Sequence, residues 1–283
     1  MSFFNLFKEK IIEPTIHENE QGLTLLDGAH ILNNCNKVKL DGSAIVLESH
    51  NTNYDTVRGK SKIQILDGGR INEVCGHVKL GYIKDMYIAH VKGHVEITTI
   101  NSGTIDYIKD HTTIRTLNNG NIRFIDDRAR IDTMNNGKIL YVRGNAKIGT
   151  MISGTIEGLV DNAQISTIQN GKINYVLDKS YIGTINHSII GEVCDNTEIG
   201  TFSDGEISVI VGNSIVCQQI GGKVTNKQHG SIIVYTLRKD TKKTRKKQGT
   251  FENSTTTNEE KDSTQDGNDV KFGEQTSILD MEE

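Results

Sequence analysis

The chain has no tryptophan, one proline and four cysteines, and aromatic residues make up only 5% of its 283 residues. Each shortage excludes something. Proline removes a ladder donor from any strand it enters, so a lone Pro14 leaves everything after it free to pair in a sheet. The cysteines, Cys35, Cys75, Cys194 and Cys217, show neither metal-ligand spacing nor a disulfide framework, and read as free thiols suited to a reducing cytoplasm. The first ten residues lack a basic n-region, an apolar core and a cleavage site, and no apolar run is long enough for a membrane-spanning helix. A formal net charge of -4 is too small to specify a partner.

What the sequence does contain is a period of 17 residues. Counted from Thr52, the third, sixth, twelfth and fifteenth positions of each turn are Tyr54, Val57, Ile63 and Leu66, then Ile71, Val74, Leu80 and Ile83, and so on to Ile190, Val193, Ile199 and Phe202. All 36 grid positions in these nine turns are hydrophobic, in a chain that is only 35% hydrophobic. A helix would scatter four such positions around its axis and bury none of its faces fully. Strands suit them better: most are Ile or Val, and Asn119-Gly120, Asn136-Gly137 and Asn170-Gly171 mark corners.

Each turn also divides into half-turns of nine and eight residues. Gly opens the first half in most turns, with Met86 and Ser188 as departures, and a small residue such as Ser61, Ala129 or Ala163 opens the second, with Val78 and Val95 as departures. Small and apolar residues two apart share one side of a strand, and the next apolar residue three further on requires a bend. The pattern describes an all-β, single-domain parallel β-solenoid with a 17-residue coil, regular over about residues 52–224 within a solenoid spanning 15–237. The span from Ile16 to Asn51 fits the grid poorly and reads as irregular first coils. Gly144-Asn-Ala-Lys-Ile148 and Asp161-Asn-Ala-Gln-Ile165 resemble the short Gly-Asn-Ala-x-Ile units of β-solenoid proteins of bacteria and their phages. That resemblance implies a fold and no activity. The Asn-, Ile- and Lys-rich composition points to a low-GC bacterium or its phage, and to an accessory or virion protein.

In a solenoid, equivalent positions stack into columns, so function should show as an outward column of one residue type. The fourteenth position is Thr in seven turns, from Thr99 to Thr201, and the thirteenth beside it becomes small late in the rod. Gly149, Thr150, Ser166, Thr167, Gly183, Thr184, Gly200 and Thr201 therefore form a candidate flat face for a protein partner or a second copy. The Thr column also reads as a stabilising ladder of paired hydroxyls, and it resembles the threonine faces of ice-binding solenoids, which carry two such columns. The eighth position exchanges Gly (Gly59, Gly144, Gly212) with Asp (Asp110, Asp161, Asp195), as a turn with positive φ requires; a cation column is the alternative. The fifth position carries Tyr107, Phe124, Tyr141 and Tyr175, interrupted by Gly158, and reads as a stacking ladder or a sugar platform. Carbohydrate-cleaving β-helices need acids and bases concentrated on one outward face, and Asp106, Arg123 and Asp132 are the nearest approach. The expectation is a non-catalytic scaffold with neither metal nor cofactor.

The ends differ from the rod. Phe3, Phe4, Phe7 and Ile11 have helical spacing before Pro14, so residues 1–14 read as an amphipathic helix capping the open end. Ser231 to Leu237 looks like a last strand. After it, residues 238–250 form a basic linker in which Arg238, Lys239, Lys242, Lys243, Arg245, Lys246 and Lys247 could meet nucleic acid or another anionic surface. Residues 251–283 are acidic and too polar for a core, so disorder is expected. Within them Gln275, Ile278 and Leu279 loosely resemble the Gln-led motif by which bacterial proteins bind the replication sliding clamp, with Thr276 departing from it.

Overall fold

The computed structural model describes residues 13–228 and 230–235. The chain divides into a unit Met1–Lys239, which holds all the described residues, and a unit Asp240–Glu283. The described residues form 22 strands, and every strand pairing is parallel. From Ile45 to Val216 paired residues stand 17 places apart, Ile45 with Lys62, Ile131 with Ile148, Ile182 with Ile199, and the register shifts by one at the last strand, where Gln219 pairs with Tyr235. The protein is an all-β parallel β-solenoid, as the 17-residue grid requires.

A typical coil contributes two short strands, such as Arg130–Met134 and Lys138–Val142, to two sheet faces that are continuous with one another through longer strands such as Lys147–Leu159. The grid residues of both point inward. All 36 are buried, none with more than 2% of its surface exposed. Burying a Val or Ile side chain in this way stabilises the fold by roughly 1.5–3 kcal/mol each before entropy is counted. The first coils are shorter: Thr15 pairs with His30 and Ala29 with Ile45. Register shifts at His30/Ile31 and Val38/Lys39 add the missing residue and bring the chain onto the 17-residue repeat. The expected irregular start is therefore present, and Ile232–Tyr235 supplies the expected last strand.

Two kinds of corner close each coil. At the eighth position the exchange of Gly and Asp is conformational: Asp110, Asp127, Asp161, Asp178 and Asp195 all have φ between 59° and 64°, and Gly59 and Gly144 share the left-handed region. At the other corner Gly154 has φ 104°, and a Cβ there would lie 2.6 Å from the Gly137 carbonyl one coil below. Where that Gly is replaced by Thr52, Met86 or Ser188, positive φ moves one residue earlier, to Asn51, Asp85 and His187. The corner keeps its bend and changes which residue supplies it.

The N-terminal helix expected over 1–14 falls mainly outside the described residues, and its described end, Glu13 and Pro14, is not helical. The basic linker and the acidic tail, with their candidate residues Arg238 to Lys247 and Gln275, Ile278 and Leu279, lie outside the described residues.

Candidate interaction surfaces

The eight residues of the candidate partner face come together on one sheet. Strands Lys147–Leu159, Gln164–Val176, Tyr181–Ile185 and Glu198–Phe202 hold Thr150, Thr167, Thr184 and Thr201 in direct register. Gly149, Gly183 and Gly200 lie so close to the coil beneath that a Cβ would come within 2.4–2.6 Å of its carbonyl oxygen. Around the Thr column, over residues 147–152, 164–169, 181–186 and 198–203, the charged residues are Lys147 and Glu198 at one margin; Glu157 and Lys172 of the same strands lie past the next corner. One element of relief interrupts the flat track: the Tyr181 hydroxyl lies 3.1 Å from where a Gly200 Cβ would stand, so the missing side chain makes room for it.

The Thr hydroxyls do not pair with one another. Among the described residues those of Thr150, Thr167 and Thr184 have no protein partner, and only Thr201 reaches a neighbour, the Gln218 side chain at 3.4 Å. The reason is length. Coils stack at about 4.8 Å, too far for a direct bond between short hydroxyls that prefer about 2.7–2.8 Å. The longer Asn135 amide does span it, donating to Asn118 at 2.8 Å. Past the face, a groove of about 470 Å³ is lined by Asn186, His187, Ser203, Asp204, Ile220, Gly221 and Gly222, with His187 and Asp204 paired at 2.9 Å.

Several other outward columns are bonded from coil to coil. Asp161, Asp178 and Asp195 each accept a hydrogen bond from a backbone amide one coil below, at 2.9, 3.0 and 3.2 Å. This engages one oxygen of each carboxylate in the turn. Tyr107, Phe124 and Tyr141 stack at 5.0 and 6.0 Å, and His90 extends the ladder downward at 5.2 Å from Tyr107. Tyr175 does not join it; the Tyr141 ring fills the space that Gly158 leaves empty. Because the rings meet face to face and the Arg143 guanidinium covers Phe124 at 4.6 Å, mostly their edges remain for a ligand.

Asp106, Arg123 and Asp132 are not one cluster. Asp106 and Arg123 sit on one sheet, 3.9 Å apart, with the Tyr87 hydroxyl donating to Asp106. Asp132 belongs to the other sheet and pairs with Arg130 at 2.5 Å. All four cysteines are free, and they differ in setting: Cys35 is buried and Cys217 exposed. Burial first, and then the Glu192 carboxylate, pushes the Cys194 thiol up to about 12.

One surface was not anticipated. At the ninth position Lys60, His77, His94, His111 and Arg128 form an exposed column, with the three imidazoles stacked at 5.1 and 4.9 Å. The register alone would have placed these residues above one another. Beside this corner a groove of about 300 Å³ is lined by Glu73, His90, Val91, Lys92, Tyr107 and Lys109.

No helix among the described residues is long and apolar enough to cross a membrane. In comparisons with protein-family models, curated proteins and solved structures, nothing matches the chain.

Proposed function

We propose that this protein is a non-catalytic scaffold that presents the late sheet around Thr150, Thr167, Thr184 and Thr201 to a protein partner, in the setting of a phage-encoded or bacterial accessory or virion protein. One observation carries the reading. Many outward polar groups of this rod are bonded to the neighbouring coil, whereas on this track the hydroxyls of Thr150, Thr167 and Thr184 are left without protein partners and charge is confined to the margin. Flat, rigid and hydrogen-bonding without charge, such a surface loses little conformational entropy when covered. The adjoining groove at Asn186 and Asp204 offers a further foothold.

Affinity capture tests the proposal, using the full chain, a chain ending at Leu237, and the full chain with Thr167→Arg and Thr184→Arg. Partners that bind the sheet should come down with the first two and be lost from the third. If the chain ending at Leu237 loses them while the arginine variant keeps them, recruitment belongs to the segment after Leu237 and the reading fails.

A further inference from the structure

The corner opposite in character to that late face lies in the early coils. Lys60, His77, His94, His111 and Arg128 occupy five successive turns at one position, and all five are exposed. Lys62, Lys109 and Lys147 flank them. None of Lys60, Lys62, Arg128 and Lys147 has an ion-pair partner among the described residues, and Lys109 meets only the Tyr107 ring, at 5.6 Å. The acids of this edge are largely committed. Glu96 holds Lys79, Asp126 holds Arg143 through two hydrogen bonds, and Asp110 and Asp127 each accept a backbone amide from the coil below.

From these features we infer that this edge binds single-stranded nucleic acid. The stacked rings set a spacing of 4.9–5.1 Å for successive cationic or protonatable groups. An extended chain of phosphates running along the rod meets fixed cations at the two ends of the row, Lys60 and Arg128, and the N–H groups of the stacked imidazoles between them. A flexible single strand adjusts its phosphates to a straight row, whereas those of a duplex wind away from it. The groove lined by Glu73, His90, Val91, Lys92, Tyr107 and Lys109 adjoins the row; Lys92 there pairs with Glu73, and the ring edges of His90 and Tyr107 with the Lys109 stem give a base apolar contact beside the phosphates. None of the exposed large hydrophobic residues lies on this edge, which disfavours insertion into a lipid surface. The same corner in later coils carries Asn145, Asn162, Lys179, Asn196 and Asn213, one cation in five turns, so the rod contains its own comparison stretch.

The test is fluorescence anisotropy of a labelled oligothymidylate on the full chain, at several salt concentrations. Lys60→Ser, His94→Ser and Arg128→Ser combined should weaken binding at least tenfold at low salt. The log–log salt slope should fall by about 1.4, from an expected 0.7 for each of the two fixed cations Lys60 and Arg128 on a single strand. His94→Lys alone should retain binding. A full chain with the seven basic residues of Arg238 to Lys247 neutralised should still lose affinity when the edge is changed, which separates the two basic regions. Equal binding by the triple variant and the unaltered chain overturns the inference, as does no binding at low salt. Binding of heparin or phosphatidylserine vesicles without the oligonucleotide overturns it too.

Discussion

Ile131 and Ile165 occupy the same grid position two coils apart and are equally buried, yet the surfaces above them have little in common. Every ion pair among the described residues except His187–Asp204 lies at or before Arg143, and so does every stacked ring. Beyond Arg143 the outward columns run to Thr, Gly, Asn and Ser. One half is laced by ion pairs, and among the described residues the other holds a single one although it carries charges such as Glu157, Asp178 and Lys179. Since both halves fold on the same coil, the charges are not what specifies the coil; inward Ile and Val and the left-handed corners are enough. The outward columns are thereby free to differ between the two halves.

The comparison can be broken at its root by cutting the core. Ile131→Ala and Ile165→Ala should each cost about 2–5 kcal/mol in denaturant unfolding. If the early half needed its charges to fold, the two costs would differ well beyond that spread. Next in size is Arg143→Ala, which leaves the largely buried Asp126 without its two charge-assisted bonds and should cost about 1.5–3 kcal/mol. Arg58→Ala, removing an exposed partner of Asp41, should cost under about 1 kcal/mol in the same assay. Asp178→Ala places a Cβ-bearing residue with no side-chain acceptor at φ 61° and should cost about 1–2 kcal/mol, while Asp178→Gly should cost less.

The smallest effect concerns pH. The Gly42 amide, and then the Arg58 guanidinium, hold the Asp41 carboxyl below the usual carboxylate range. Its contribution is therefore complete at neutral pH and lost as pH falls through that depressed value. Asp41→Asn should flatten the acid limb of the melting-temperature profile, and an unchanged limb would remove Asp41 from the account.

Much of the fold was legible because burial and positive φ accept few residue types. Ile105 or Val176 could hardly be anything but inward, and Asp127 and Gly144 share a position because they share a backbone conformation. Positions where many types serve were harder. Nothing in the composition around Asn51, Asp85 or His187 announced that they take over the bend from a missing Gly. Threonine hydroxyls looked able to pair until the coil spacing set them too far apart. His77 and His94 share a Gly-His-Val context while His111 follows an Asp, and only alignment at 17 residues stacks all three.

The division of labour is tested most directly by exchanging assays between two full-length variants. One carries Thr167→Arg and Thr184→Arg on the late sheet; the other carries Lys60→Ser, His94→Ser and Arg128→Ser on the early edge. Both are measured for partner capture and for oligothymidylate anisotropy, with circular dichroism confirming the fold. The late variant should lose capture and keep the oligonucleotide, and the early variant should do the reverse. Loss of both activities in either variant, or of neither in both, would contradict the account.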